Sequence, residues 1–298
     1  MNQGKHMENN VDFRLHSISS FSRDEIQNWF ESAMVEVANT IGVSTQDLQD
    51  LVLTQYAEVD ERAKHPTIDI NTPERQALRD KIISDYFDCF KSSEKSKVAV
   101  IVLGQIASGK SSFYKTLVNG NNAFVVDSDY IKQGYKGMEG LSRDFDDGKG
   151  TTQVHEEASM LSKKIISLAS KEGYNLVIPK TGVSYGSIES IAKGLKQNGY
   201  YTILSYVDLP IKKCIERNIY RYMEELLTGK PSRLVPLEDI IFIDDKPFKT
   251  FIKFLNEREN GLIDEFYAYS NDVLPNSPMK SIDIEKIKEV TISTKQKS

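Results

Sequence analysis

The stretch VAVIVLGQIASGKS, residues 98–111, joins an apolar run directly to a glycine-rich segment. The run 98–103 is continuous rather than alternating, which is typical of a strand buried on both faces of a sheet. Residues 104–111 fit the pattern GxxxxGK followed by Ser or Thr, in which backbone N–H groups turn inward and cradle phosphate oxygens. A helix predicted to begin near Lys110 presents its N-terminus to the same anion. The stretch therefore predicts a P-loop that binds ATP or GTP.

The side chains of this segment receive separate roles in the prediction. Lys110 is expected to reach the β- and γ-phosphates during transfer, and the Ser111 hydroxyl is expected to ligate Mg²⁺. The other predicted nucleotide-binding residues surround these two: Gly104, Gln105, Ser108, Gly109 and Ser112. ATP and Mg²⁺ are therefore the expected cofactors.

The rest of the chain alternates between strand and helix patterns. Further apolar runs lie at 123–126, 174–178, 200–207 and 266–270, and helical patterns lie at 110–118, 152–171, 187–197, 210–227 and 237–258. Strands that alternate with helices of this length indicate βαβ units and a parallel sheet. We expect an α/β fold of the P-loop NTPase or kinase type, with helices flanking the sheet.

The N-terminal third differs from this body in pattern and in charge. It shows helical patterns at 22–41, 44–56 and 72–90, and a short polar segment at 92–97 ends it. Residues 1–95 hold 10 Lys and Arg against 17 Asp and Glu, whereas the remainder holds 28 against 26. We therefore predict an acidic helical region at 1–95, a P-loop kinase domain at 96–275 and a charged, loosely ordered tail at 276–298. Residues 1–6 have the character of a cloning-derived leader.

Composition argues against several classes of protein. The net charge of −5 disfavours a nucleic-acid binder, and no apolar run reaches the roughly 18 residues that cross a bilayer. The N-terminus lacks the order of a secretory signal. Two distant cysteines exclude a disulfide scaffold and disfavour a zinc site. We expect a cytoplasmic protein that binds neither nucleic acid nor membrane.

Two carboxylates follow the second apolar run, in the sequence Val126-Asp127-Ser128-Asp129. Residues at the carboxyl end of a strand beside the P-loop strand face the active-site crevice. If the strand continues, alternation puts both carboxylates on one side. One of the two could then accept a proton from a substrate hydroxyl as a general base, and the other could position water around Mg²⁺, with Asp127 also a candidate substrate contact. The alternative for either residue is a helix N-cap or turn.

A basic stripe runs along the helical pattern at 210–227, where Lys213, Arg217 and Arg221 are spaced four residues apart. Arg233 follows in a Gly-Lys-Pro-Ser-Arg loop. Arginines near a P-loop neutralise the charge that develops in phosphoryl transfer, so Arg221 and Arg233 are predicted catalytic residues and Arg217 a substrate contact. A solvated helix face is the alternative.

His155-Glu156-Glu157 opens the long helical pattern at 152–171. Acidic residues in a first helical turn stabilise the helix, which is the plain explanation for both glutamates. A substrate contact through His155 or Glu157 is the alternative prediction.

Taken together, these pieces resemble the zeta-toxin family of bacterial P-loop kinases. The resemblance runs from about Pro73 to Asp272 and keeps the family's order of motifs. They are ISDYF at 83–87, the P-loop, VDSD at 126–129, GYNLVI at 173–178 before Thr181, GY at 199–200 before VDLP at 207–210, Arg217, Arg221, and RLVP at 233–236.

The resemblance implies ATP-dependent phosphorylation of a hydroxyl, in well-known members the 3′-hydroxyl of UDP-N-acetylglucosamine. It implies Asp129 as the base, Lys110 and Ser111 as the ATP and Mg²⁺ residues, Arg221 and Arg233 as phosphate clamps, and Thr181 as a substrate contact. An antitoxin or another inhibitory protein is an expected partner. Delivery into another cell is compatible with the sequence.

The chain departs from the family pattern on the acceptor side. Pro179 and Lys180 stand where the family has an acidic residue and a glycine before the threonine, and Lys163 falls where a second acidic contact is expected. Lys180 could instead meet a phosphate on NAD, another dinucleotide or a different anionic acceptor. A P-loop NTPase switch that acts on a protein partner is the rival from another class. The acidic N-terminal region could inhibit the site or simply pack on the body.

Overall fold

The computed structural model describes residues 22–63, 71–135, 154–229, 234–274, 277–285 and 287. The N-terminal part forms helices α1 (Arg23–Ile41), α2 (Thr45–Ala63) and α3 (Pro73–Phe90). Ser22 and Glu25 form a reciprocal capping box at the start of α1. Thr72 is the N-cap of α3 and precedes a proline in the first turn of that helix. Because these capping residues lie close to one another in the sequence, the starts of α1 and α3 could be predicted from the sequence alone.

The body alternates strands and helices. In chain order the elements are β1 (Val98–Gly104), α4 (Lys110–Asn121), β2 (Phe124–Val125), α5 (Ser128–Gln133), α6 (His155–Lys171), β3 (Leu176–Lys180), α7 (Tyr185–Gln197), β4 (Tyr201–Asp208), α8 (Ile211–Leu227), α9 (Leu237–Ile243), α10 (Lys246–Asn256), a 3-10 turn (Arg258–Asn260), β5 (Glu265–Ser270) and β6 (Lys280–Ile282).

Within the described residues, six strands form one sheet in the order β2-β3-β1-β4-β5-β6. All neighbours are parallel except β5 and β6. The P-loop strand β1 lies at the centre, with Leu103 opposite Lys180 of β3 and Tyr206 of β4. The predicted α/β fold, a mainly parallel sheet flanked by helices, is therefore confirmed. The carboxyl ends of β1 to β5 meet at one edge, where such sheets bind ligands.

The two faces of the sheet pack against different helices. One face, with Ile101, Leu103 and Ile178, shares a core with α3, α6, α7 and α10. The other face, with Val102 and Val177, packs against α4. Among the described helices, none has the length and apolar character needed to cross a membrane.

Helices α1 and α2 build a separate apolar cluster on α8. Phe30, Met34 and Val37 of α1 are buried with Ile215 and Ile219 of α8 and with other residues of α2, α8 and α9. Helix α3 instead joins the core of the sheet through Ile82 and Tyr86. The described part of the acidic region is thus mainly helical, and its helices contact two different parts of the body. The domain boundaries stay a prediction.

Three details differ from the sequence-based expectations. The second strand ends at Val125, so Asp127 and Asp129 do not continue it. The helix expected at 237–258 is divided into α9 and α10, because the ring of Pro247 would clash with the carbonyl of Ile243 in a continuous helix. The stretch predicted as a loose tail contains β6, which is held by Ile282, Ile284 and Ile287 against the core.

Candidate active site

The P-loop connects the end of β1 to the start of α4 by a tight turn. Ala107 and Gly109 have positive φ values of 59° and 95°. A Cβ on Gly104 would lie 2.7 Å from the carbonyl oxygen of Val207, which is closer than real Cβ contacts. Glycine at 104 and 109 is therefore required by contact and by backbone conformation respectively.

The buried polar groups of the loop suit an anion. Ser108 is fully buried, and its hydroxyl has no hydrogen-bond partner among the described residues. A buried hydroxyl without a partner is costly, so this orphan indicates a place for a ligand oxygen. Gln105 has a different part: its side chain donates to the Ile240 carbonyl (2.9 Å) and accepts from the Ile106 N–H (2.7 Å). Gln105 thereby ties the loop to α9.

Lys110 folds back over the loop. Its Nζ donates to the carbonyl oxygens of Gly104 and Gln105, both at 2.8 Å. Burial lowers the pKa of Lys110 to about 8, although the negative charges of Asp127 and Asp129 act in the opposite direction. The ammonium is thus held in place by carbonyls that a phosphate can replace as hydrogen-bond acceptors.

The predicted Mg²⁺ ligand Ser111 and its neighbour Ser112 lie exposed in the first turn of α4. Among the described residues, no group of three or more His, Cys, Asp or Glu side chains could hold a metal ion. An exposed serine hydroxyl fits Mg²⁺, which keeps several waters and is commonly bound by few protein groups together with substrate phosphates. Ser111 would hold the ion.

Asp127 and Asp129 are related by a helix start rather than by strand alternation. Asp127 caps α5: one carboxylate oxygen accepts from the Asp129 N–H (2.9 Å) and the other from the Tyr114 hydroxyl (3.0 Å). Asp129 lies in the first turn, accepts from Lys132 Nζ (2.9 Å), and keeps a side chain that is 48% exposed. Asp129 is therefore the accessible carboxylate of the pair. The strand therefore does not continue through both residues, and Asp127 takes the alternative role of a helix N-cap.

Lys180 and Thr181 stand at the carboxyl end of β3, beside the P-loop strand. Lys180 Nζ donates to the hydroxyl of the fully buried Ser162 (2.8 Å). Burial lowers the pKa of Lys180 to about 8, whereas Asp127 and Asp129 raise it. Lys180 thus shares the electrostatic environment of the two aspartates. Thr181 is half-buried directly after it.

Glu157 lies in a buried ion cluster. Its two carboxylate oxygens accept from Arg75 (Nε, 2.8 Å) and Arg79 (Nη1, 3.0 Å) of α3, and its side chain is 2% exposed. Both oxygens of the Glu157 carboxylate therefore bind arginines of α3, and these ion pairs hold α3 against α6. This position corrects the prediction of a substrate contact through Glu157, whereas His155 is exposed at the start of α6.

The basic stripe of α8 is divided among several partners. Lys213 pairs with Asp272 (2.5 Å), Arg217 Nη2 donates to the Asn271 carbonyl (3.0 Å), and Arg221 Nη2 donates to Asn218 (3.3 Å). The charge of Arg221 also acts on Lys110. Lys213 is exposed, whereas Arg217 and Arg221 are half-buried, so only part of the stripe is a solvated face. Arg233 lies outside the described residues.

The sequence did not single out Asn271. Its amide Nδ2 donates to the carbonyl of Ser108 in the P-loop (2.8 Å), and the residue is 9% exposed. The available signal was its position directly after β5, because strand ends in a parallel sheet converge on the crevice. Tyr86 was also missed as a support: its hydroxyl donates to the Val125 carbonyl and accepts from the Asp127 N–H.

Comparison with solved structures shows the same fold. A structure from the PezAT toxin-antitoxin system of Streptococcus pneumoniae has a TM-score of 0.57 at 17% identity, over 69% of this chain and 82% of that one. A structure of the AvrRxo1-ORF1:-ORF2 complex with ATP has a TM-score of 0.52 at 14% identity, over 74% of this chain and 72% of that one. At such identities the likeness is one of fold.

Comparison of sequences gives the family. Toxin zeta proteins of Streptococcus pyogenes and Enterococcus hirae are each 28% identical over 146 residues, which are 47% of this chain. The match spans about half the length of these curated relatives. The sequence profile of the zeta toxin family matches residues 83–259, more than half of the chain and including the P-loop, Asp129 and Arg221. The chain therefore belongs to the zeta toxin family.

Proposed function

We propose that this chain is a kinase that transfers the γ-phosphate of ATP to a hydroxyl of a small nucleotide-type acceptor, with UDP-N-acetylglucosamine as the first candidate. The observation that supports it is the pairing of a P-loop with an accessible carboxylate. Lys110 and the orphan Ser108 hydroxyl lie in the loop, and half-exposed Asp129 acts electrostatically on the same lysine. Family membership supports the same reaction class.

The proposed reaction uses each group for one task. The P-loop N–H groups, Ser108 and Lys110 hold the phosphates. Asp129 accepts the proton of the attacking hydroxyl as that oxygen bonds to the γ-phosphorus, and the bond from the γ-phosphorus to the bridging oxygen breaks to release ADP. Arg221, together with Arg233, stabilises the charge on the transferred group. Mg²⁺, when bound at Ser111, supplies charge neutralisation to the phosphates. Asp127 fixes the start of α5 and therefore the position of Asp129.

An anionic acceptor such as NAD or another dinucleotide is the second candidate. The observation that favours it is Lys180, a half-buried ammonium at the crevice edge that donates to the Ser162 hydroxyl. An ammonium has three donors, so Lys180 has capacity for a phosphate oxygen of the acceptor. His155 and Thr181 complete the proposed acceptor side.

An acceptor screen tests the proposal. The full chain is incubated with ATP, Mg²⁺ and either nucleotide sugars or dinucleotides, and acceptor-dependent release of ADP is measured. We expect release with at least one pool, and we expect Asp129→Asn to lower kcat by about 10²–10⁴-fold while ATP still binds. Asp88→Asn, an exposed aspartate of α3, is the matched control. ADP release that needs no acceptor and survives Asp129→Asn would favour the NTPase switch instead.

We also propose an antitoxin-type protein partner and action in the bacterial cytoplasm. One similar structure comes from a toxin-antitoxin system and another is a two-protein complex. Expression of the chain in a bacterium should arrest growth, and Asp129→Asn should relieve the arrest at equal protein level. Equal toxicity of both proteins would contradict a toxic kinase activity.

A further inference from the structure

Asn271 uses its backbone and its side chain to connect three elements. Its backbone N–H donates to the carbonyl of Asp208 at the end of β4 (2.9 Å). Its own carbonyl accepts from Arg217 of α8 (3.0 Å), and its Nδ2 donates to the carbonyl of Ser108 (2.8 Å). The residue therefore joins the sheet edge and α8 to the P-loop.

The segment that carries Asn271 is fixed on both sides. Asp272 pairs with Lys213 one turn before Arg217 on α8. On the other side, β5 pairs with β6 through Ser270 and Lys280. Two of the three residues of the basic stripe, Lys213 and Arg217, therefore bind this segment.

The Asn271 amide fills space that only a glycine leaves open. A Cβ on Gly109 would lie 2.1 Å from Asn271 Nδ2, and Gly109 has a φ of 95°. The carbonyl of Ser108 and the N–H of Gly109 belong to one planar trans peptide and point in opposite directions. A donor that holds the carbonyl on the outside of the loop consequently keeps the Gly109 N–H directed to the inside.

We propose that Asn271 is a positioning residue for nucleotide binding: it holds the Ser108–Gly109 peptide so that the Gly109 N–H faces the phosphates, and Arg217 acts through it. This inference rests on the proposed nucleotide binding, and it assigns Arg217 to the loop rather than to substrate. Of the two arginines on α8 that were predicted to contact phosphate or substrate, only Arg221 keeps that role.

Titration with mant-ATP in the presence of Mg²⁺ tests this on the full chain. Loss of one hydrogen bond to a loop that must be ordered should weaken binding by about five- to tenfold in Asn271→Ala. Asn271→Asp keeps the shape but places an acceptor against the Ser108 carbonyl, so it should bind more weakly still. Asn198→Ala removes an asparagine that donates to Ser170 far from the loop, and it should leave the affinity unchanged.

A purely structural role predicts a different order of effects. In that case both Asn271 variants would lower the melting temperature and would bind mant-ATP like the unmodified chain once folded. Equal affinity of the folded variants overturns the inference while nucleotide binding stands. If the unmodified chain does not bind mant-ATP, the proposed function and this inference fail together.

A double-mutant cycle tests the part played by Arg217. If Arg217 acts through Asn271, the variant with both residues changed to alanine binds no more weakly than the weaker single variant. Additive losses would show that Arg217 contacts the nucleotide independently and would overturn that part. Arg217→Gln removes the guanidinium that donates to the Asn271 carbonyl and leaves Asn271 itself unchanged. This variant should bind mant-ATP more weakly, and it can be measured even if the Asn271 variants do not fold. Unchanged affinity of Arg217→Gln would count against the inference.

Discussion

Lys110 links the local chemistry of the P-loop to a measurable pH dependence. Burial lowers its pKa to about 8, so the free chain loses the ammonium charge as the pH rises through that value. Phosphate binding needs the charged form, and bound phosphate favours it. We therefore expect the affinity for mant-ATP to fall between pH 7 and pH 9.5, approaching about tenfold per pH unit above the pKa.

The control for this profile is Lys180, whose pKa burial also lowers to about 8. Lys180→Met should keep the fall in affinity if Lys110 causes it. A profile that is flat to pH 9.5, or one that becomes flat in Lys180→Met, would contradict the assignment to Lys110.

At the scale of single residues, the features that could be predicted from the sequence are those determined by neighbouring residues. The P-loop motif determines its own backbone, so its position and its glycines were predictable from residues 104–111 alone. The relation between Asp127 and Asp129 was not, because Asp127 ends the strand by capping a helix that starts one residue later. The orphan Ser108 hydroxyl and the Asn271 contact depend on packing between distant segments, which no local pattern contains.

At the scale of elements, the ion cluster at Glu157 joins α3 to α6. Glu157→Ala would leave two arginines buried without their carboxylate, and the loss of a partner from a buried ion pair costs about 3–5 kcal/mol. We expect a loss of this size in the free energy of unfolding from urea denaturation. Glu172→Ala removes an exposed pair with Lys95 and should cost less than about 1 kcal/mol.

A Glu157→Ala protein as stable as the control would show that the cluster does not hold α3.

The helical pattern at 152–171 indicated an element here, but it could not identify Arg75, which precedes Glu157 by 82 residues. Partners this distant in sequence are brought together by the fold alone.

The junction between α9 and α10 carries a second prediction. Burial raises the pKa of Asp244 to about 6, and the charges of Asp245 and Asp208 add to the shift. Between the ordinary pKa of 3.8 and about 6 the folded state binds more protons than the unfolded state, so stability from this group falls as pH rises through that window. Asp244→Asn should raise the melting temperature at pH 7.5 and have little effect at pH 4.

Asp88→Asn serves as the control for Asp244→Asn, since its carboxylate is exposed. A gain at pH 7.5 that is equally large at pH 4 would show that the charge of Asp244 is not its cause.

At the scale of the whole molecule, the acidic N-terminal region is tied to the body by apolar packing. The buried face of α1 covers Ile215 and Ile219 of α8, the helix that also carries Arg217 and Arg221. We therefore expect removal of residues 1–63 to lower the melting temperature and to increase ANS binding. We do not expect it to raise transfer activity, because the helices support α8 from its apolar side.

A point variant separates packing from inhibition. Phe30 is 4% exposed in the α1–α8 cluster, and Phe30→Ala should cost about 3–5 kcal/mol of unfolding free energy. Glu31→Ala, on the exposed face of α1, should be nearly neutral. A rise in activity in either the truncated chain or Phe30→Ala would instead support an inhibitory role for this region.

Transfer of a phosphoryl group to an acceptor by the P-loop and Asp129 can be measured with a radiolabel at the γ-phosphate of ATP, after incubation with UDP-N-acetylglucosamine or with NAD. We expect labelled acceptor with the unmodified chain and almost none with Asp129→Asn, although both bind mant-ATP. Label that appears only as inorganic phosphate, or acceptor labelled equally by both proteins, would contradict it.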